Sequence, residues 1–354
     1  MVSNRSANVI GLGLIGGSIA LGLRRRGWKV SGSDLKSELE ITALECGIID
    51  VVGLDSSAAI TFVATPVMEI ASGITTALER TSGLVTDVGS VKSLLVDEFP
   101  DERYIGSHPM AGSELDGLDG ADPDLFIGAV WIVTPREGVA DARFAELASV
   151  IRELGADVVA LPAKHHDELV ATVSHVPHLA AATLMNVAQK HSTEHAAVLR
   201  LAAGGFRDMT RIASGNPNIW LDICETNRPA IVESLTDLIQ GLEKIRSVVA
   251  ESDRSRLLEI LTAARNARAS LPARSLTAEN LIEVRIAIPD RAGAAAEIFT
   301  LAAELGVNIF NFEIIHSVEG SQGVLVVVVE AAVTDLLRGG LVARGFKPSV
   351  SPLS

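Results

Sequence analysis

The sequence predicts an α/β chain in three parts: a doubly wound, mostly parallel sheet, then an all-helical segment, then a small C-terminal sheet. Three observations carry this. Strand and helix signals alternate up to about residue 162, helix formers dominate from Ala163 to about Leu271, and strand signals return after residue 276. Alternation of the first kind buries a parallel sheet between two helical layers and gathers ligands at the carboxyl ends of the strands.

The first element is a short apolar strand over residues 7–10. It runs into Gly11-Leu12-Gly13-Leu14-Ile15-Gly16 and then a helix reaching Arg26, the order of a dinucleotide-binding turn. Gly11 permits the tight turn, Gly13 lacks the Cβ that would block a pyrophosphate, and Gly16 lets the helix approach the sheet. The helix N-terminus offers free N–H groups and partial positive charge to the anion. Ile15, Ile19 and Leu23 recur along one face, and Gly27 follows as a stop. A second strand over 29–33 ends at Asp34, where the fingerprint calls for a carboxylate to accept the ribose hydroxyls and repel a 2′-phosphate. NAD is therefore the expected cofactor, with NADP kept open by Lys36.

Residues 59–64 read as a buried strand ending in Thr65-Pro66, and 84–87 as another ending in Val88-Gly89-Ser90. Strands over 128–134 and 157–161 flank a helix over 140–154, which completes a Rossmann-type domain over 1–162. Thr65, Ser90 and the Ser107-His108 pair fall at strand ends. Thr65 joins the glycine loop and Asp34 as a cofactor-binding candidate.

Helices over 179–189, 200–203 and 230–249 fill the segment 163–271, and their apolar faces lack an obvious partner within one copy. A homodimer that intertwines them would bury these faces. A linker over 270–275 leads to residues 276–354, where strands and helices follow in the order βαββαβ, that of a ferredoxin-like sheet.

Composition narrows the function classes. A formal charge of −14 over 354 residues argues against nucleic-acid and anionic-membrane partners. Cys46 and Cys224 lie far apart without metal-ligand spacing and read as reduced thiols of a cytoplasmic protein. No apolar run reaches transmembrane length, and the chain starts almost directly with a strand instead of a signal peptide. The pairs His165-His166 and His175-x-x-His178 invite a metal. No third ligand lies near in the sequence, so none is expected.

Four runs carry the chemistry: Asp87-Val88-Gly89-Ser90-Val91-Lys92, Gly106-Ser107-His108-Pro109-Met110-Ala111-Gly112-Ser113-Glu114, His175-Val176-Pro177-His178, and Gly204-Gly205-Phe206-Arg207-Asp208-Met209-Thr210-Arg211. Over residues 6–250 these resemble, in order, the prephenate dehydrogenase family, which includes the arogenate dehydrogenases. The C-terminal βαββαβ, with Leu305-Gly306-Val307-Asn308 before its second strand, resembles an ACT regulatory domain, whose effector would be an amino acid, here tyrosine. The alternative is that this module only strengthens the dimer.

The resemblance implies oxidative decarboxylation of prephenate or arogenate. C4 of the substrate gives a hydride to the nicotinamide, the 4-hydroxyl loses a proton, and the ring carboxylate leaves as carbon dioxide. By that resemblance His108 is the catalytic histidine, fit to accept the hydroxyl proton. Ser90 hydrogen-bonds the same hydroxyl, orients the imidazole, or caps a helix starting at Val91. Arg211 holds a substrate carboxylate through its guanidinium fork, while Arg207 reads as a neighbour. His178, Gly204 and Trp220 either line the pocket or simply pack the helices, and Ser113 and Glu114 follow as pocket gates. Two rivals remain: a β-hydroxyacid dehydrogenase, for which Lys164 and Lys190 lack a matching motif, and a non-catalytic NAD and amino-acid sensor.

Overall fold

The computed structural model describes residues 5–112, 115, 117–194, 202–270, 281–289, 291, 293–316 and 322–352. They fall into two units, 1–261 and 262–354. The first begins with β1 (Ser6–Ile10), α1 (Leu14–Arg25), β2 (Lys29–Ser33), α2 (Ser37–Glu45), β3 (Val51–Val52), β4 (Ile60–Val63), α3 (Ile70–Arg80) and β5 (Leu84–Asp87). Its sheet is parallel throughout, in the order β3-β2-β1-β4-β5. The order reverses between β1 and β4, so a crevice opens beyond their carboxyl ends.

Alternation along the strands builds a core on each face. Phe62 and Leu84 join the cluster of Ile19, Leu23 and Ile151, while their neighbours Val63 and Val85 join Ile70, Ile74 and Tyr104. Each fully buried aliphatic side chain of this kind contributes about 1.5–3 kcal/mol.

The chain continues through α4 (Ser93–Glu98), β6 (Gly106–Pro109), β7 (Val130–Thr134), α5 (Asp141–Glu153) and β8 (Asp157–Ala160). These strands form a second sheet, β6-β7-β8, tied to β5 by a bridge between Val85 and Tyr104. The sequence marks no strand over 106–109, yet β6 forms there, runs antiparallel to β7 and pairs His108 with Ile132, while β8 pairs parallel with β7 as in a mostly parallel domain. Gly-Ser-His-Pro has poor strand propensity, and tertiary pairing makes the strand.

The helical layer comprises α6 (Ala163–Val170), a π-helical turn (Ala171–His175), α7 (Val176–Glu194), α8 (Gly204–Thr210), a single 3₁₀ turn (Arg211–Ser214), α9 (Pro217–Thr226), α10 (Arg228–Ala250) and α11 (Arg254–Ala269). Of the helix expected over 200–203, residues 200 and 201 lie outside the described residues, Ala202 and Ala203 are extended or irregular, and α8 starts at Gly204. Ile239, Leu242, Ile245 and Val249 of α10 and Leu258 and Leu261 of α11 are exposed. No helix of the described residues is long and apolar enough to cross a membrane.

The second unit is β9 (Leu281–Pro289), α12 (Ala294–Glu304), β10 (Asn311–His316), β11 (Gln322–Glu330), α13 (Ala331–Ala343) and β12 (Pro348–Pro352). Its antiparallel sheet has the order β10-β11-β9-β12. Val284, Ile286, Leu325 and Val327 pack against Ile298, Leu301, Leu337 and Leu341 of the two helices, while Arg285 and Ala287, on the opposite side of β9, are exposed. The second strand begins four residues later than the sequence suggests, since residues 307–310 connect rather than pair along its length.

Candidate active site

The glycine loop sits at the crevice. Gly11 has φ +92°, and a Cβ there would lie 2.6 Å from the Ala64 carbonyl oxygen; at Gly16 it would lie 1.9 Å from the Gly11 carbonyl oxygen. The space before Gly13 is open. Helix α1 has no side-chain cap and no acid in its first turn, so its leading N–H groups stay available to an anion. Leu12 buries its side chain in the core, and its N–H donates to Asp34 Oδ2 at 2.8 Å. Lys36 N–H donates to Asp34 Oδ1 at 2.9 Å. The carboxylate is thereby pinned beside the loop, with lone pairs left for hydroxyl donors. Leu14 and Ile15 form the start of α1. At the end of β4 the Thr65 hydroxyl is buried without a hydrogen-bond partner, an orphan that a bound ligand would satisfy. An open cradle, free helix donors, a fixed carboxylate and an orphaned hydroxyl together fit NAD.

Beyond β5 a chain of buried polar groups begins. His108 Nδ1 lies 2.9 Å from His166 Nε2, and His166 Nδ1 lies 2.8 Å from Asp167 Oδ1. Asp167 also accepts the N–H of Lys92 on Oδ1 and that of Ser93 on Oδ2, each at 2.8 Å. A carboxylate from α6 thus closes the N-terminus of α4, which starts at Ser93 instead of Val91, so Ser90 is not its cap. Ser90 lies half-buried in the bend after β5. Burial alone would raise the Asp167 carboxyl, but hydrogen bonds from His166, Ser93 and Lys92 outweigh it and hold the group below its ordinary range. Burial, reinforced by His166, Lys92 and His175, pushes His108 well below the ordinary imidazole value.

Lys92 and Asp87 form a fully buried ion pair under this chain. Asp87 also accepts Tyr104 OH at 2.7 Å and Gly89 N–H at 3.0 Å. Burial pulls Lys92 below the ordinary lysine value against the attraction of Asp87, and together with that carboxylate it pushes the Tyr104 phenol well up. Ser107 is structural: it donates to the Asp87 carbonyl at 2.8 Å and accepts from Thr86 and Trp131, each at 2.9 Å.

The helices supply the facing wall. Val67, two residues past Thr65, packs against the cluster of Ala171, Ile223 and Ile231 together with Trp220. His175 ends the π-helical turn, and such turns re-aim side chains at functional sites. Asn227 Nδ2 donates to the Asp167 carbonyl at 2.9 Å and to His175 Nδ1 at 3.2 Å. The proton of neutral His175 therefore resides on Nε2, which is buried and unpartnered. Burial lowers this imidazole to about 4, although Asp167 works the other way. His178 stacks on Trp220 with ring centroids 3.6 Å apart. Arg211 opens the exposed 3₁₀ turn, and Gly204 starts α8 with open space where a Cβ would be. Ser113 and Glu114 lie outside the described residues. Sequence reasoning gave no role to Asp167, Asn227 or Tyr104, weighed His166 only as half of a metal-binding pair, and marked the Asp87–Lys92 run without seeing that its two ends form a buried ion pair beneath Tyr104.

Comparison with known proteins fits these parts. A family model described as prephenate dehydrogenase, nucleotide-binding domain, matches residues 19–160, and one described as prephenate dehydrogenase, dimerization domain, matches 162–263. The prephenate dehydrogenase of Bacillus subtilis (strain 168) is 34% identical over 338 residues, 89% of each chain. The Aquifex aeolicus prephenate dehydrogenase in complex with hydroxyphenyl propionate and NAD+ has a TM-score of 0.70 at 28% identity, covering 75% of this chain and 98% of that one. The Synechocystis arogenate dehydrogenase has a TM-score of 0.66 at 31% identity, covering 74% and 98%. On the strength of this match over most of its length, the chain belongs to the prephenate dehydrogenase family.

Proposed function

We propose that the protein catalyses NAD-dependent oxidative decarboxylation of prephenate to 4-hydroxyphenylpyruvate in tyrosine biosynthesis, with His108 as the base. The observation that carries the site assignment is His108 itself, bound through Nδ1 to a buried polar chain with Nε2 left for a substrate. NAD supplies the hydride acceptor, held by the Gly11–Gly16 loop, Asp34 and Thr65. His108 Nε2 takes the proton of the 4-hydroxyl as the ring aromatises, and Ser90, in the bend after β5, hydrogen-bonds that hydroxyl. Arg211 fixes a substrate carboxylate; His178 and Trp220 form one wall, Gly204 is a further lining residue, and Ser113 and Glu114 act as gates. These groups place C4 over the nicotinamide, which makes proximity and orientation the larger share of the catalysis.

The test is incubation with NAD and prephenate while following NADH absorbance, in wild type and His108→Asn. The variant should keep its fold and NAD affinity and lose about 10²- to 10⁴-fold in kcat, the usual worth of general base catalysis. Near-normal kcat would refute the role of His108. The resemblance to the Synechocystis arogenate enzyme supports a second reading, arogenate oxidation to tyrosine. Comparing kcat/KM for the two substrates decides between them.

The exposed apolar faces of α10 and α11 support a homodimer, and the two unpaired cysteines support a cytoplasmic location. The C-terminal βαββαβ unit is an ACT-type domain that binds tyrosine where two copies meet. Tyrosine binding there would weaken substrate by about 1–3 kcal/mol, and substrate would weaken tyrosine equally. No tyrosine binding by calorimetry would remove this sensing role.

A further inference from the structure

The line from Asp167 through His166 to His108 fixes which nitrogen of each ring carries the proton. Asp167 receives donors from Lys92, Ser93 and His166 and, as an ionised carboxylate, only accepts. The proton between it and His166 therefore sits on His166 Nδ1. A neutral His166 then offers only a lone pair at Nε2, so the 2.9 Å contact requires a proton on His108 Nδ1. His108 Nε2 is left with a bare lone pair, the form a base needs. His166 is fully buried and Asp167 nearly so, which makes the alternative protonation patterns costly.

We propose that His166 and Asp167 are positioning residues for His108, holding it in the Nδ1–H tautomer and receiving the positive charge when the substrate hydroxyl is deprotonated. This rests on the reading of His108 as base. In the step, the hydroxyl O–H bond breaks and a bond forms from its hydrogen to His108 Nε2. The Nδ1 proton of His108 passes to His166 Nε2, so the charge comes to rest beside the Asp167 carboxylate. No electron is gained or lost by the rings; the hydride leaves separately for NAD.

Asp167→Asn tests this role. Its one remaining oxygen accepts from the Ser93 N–H, while the NH2, in the place of Oδ1, gives up the Lys92 N–H and donates to His166 Nδ1, which reverses the chain and puts the His108 proton on Nε2. The expected result is a loss of about 100-fold or more in kcat, with prephenate KM and NAD affinity little changed. Nitrogen-15 to proton correlation spectra of histidine-labelled protein should show His108 as Nδ1–H in the wild type and Nε2–H in the variant. His166→Gln, whose side-chain oxygen accepts from His108 Nδ1 but takes no proton, should keep the tautomer and lower kcat about 10-fold. A wild-type His108 protonated on Nε2, unchanged kcat in Asp167→Asn, or lost kcat without a tautomer change each overturns the proposal. Should Asp167→Asn fail to fold, the wild-type spectrum and His166→Gln still decide it. An active His108→Asn would instead overturn the base reading itself, whatever the tautomer.

Discussion

Acid should loosen the helical layer through one side chain, His175. Its imidazole is 1% exposed, is held neutral with Nδ1 accepting from Asn227, and titrates near 4. In the unfolded chain the same group titrates near the ordinary imidazole value of 6.5. The folded value is the lower one, so between these limits the unfolded chain binds more protons and stability falls as pH falls. The stability is fully present above about pH 6.5 and is lost on the way down to about 4. At about 1.4 kcal/mol for each pH unit, the gap amounts to about 3 kcal/mol. His175→Asn keeps an acceptor near the Nδ1 position but cannot titrate, and the cavity it leaves lowers stability at every pH alike. The readout is therefore slope, not level. Urea unfolding followed by tryptophan emission at fixed protein concentration serves well, because Trp28, Trp131 and Trp220 all lie in the first unit. The variant should lose about 3 kcal/mol less than the wild type between pH 7 and 4. Parallel curves would refute the reasoning, since His108, also displaced downward, titrates in both proteins.

Lys92→Met should cost about 3–5 kcal/mol in the same unfolding measurement, because it strands the buried Asp87 carboxylate; the double variant Lys92→Met with Asp87→Asn should recover most of this, and a single-variant cost below about 1 kcal/mol would show the pair to be dispensable. Asp34→Ala should weaken NAD and narrow its advantage over NADP in steady-state kinetics, since the pinned carboxylate both accepts the ribose hydroxyls and repels a 2′-phosphate; unchanged discrimination would shift the choice to Lys36 and its neighbours. Arg211→Ala should raise prephenate KM about 30- to 1,000-fold, equivalent to about 2–4 kcal/mol of lost carboxylate binding, and unchanged KM would make it a surface residue.

Local signals account for the parts of the fold that were readable in the sequence. Strand β5 occupies the residues its pattern marks, because a buried parallel strand is a short apolar run closed by polar or glycine residues, and β2 is marked by its place between the helix stop at Gly27 and Asp34. Strand β6 carries no such pattern, and its pairing with β7 can be seen only in three dimensions. The converse holds at the start of α8: Ala202 and Ala203 favour helix locally yet stand outside it, and α8 begins at a Gly-Gly pair that propensity disfavours. His108 stood out because a family motif surrounds it. His166 and Asp167 did not, since their contacts reach 58 residues back to His108 and 75 back to Lys92, and a lone histidine with an acid beside it says little until its partner is known.

The carboxylate of Asp167 has a further consequence for how this protein can be divided. The two family models meet between residues 160 and 162, which invites cutting the chain there to obtain a free nucleotide-binding fragment. Such a cut would take away the acceptor that terminates α4 and the imidazole against which His108 rests, and would bare the buried backbone of Lys92 and Ser93 to solvent. The place where homology changes from one module to the next is therefore not a mechanical seam, and residues 1–261 should melt as one cooperative body.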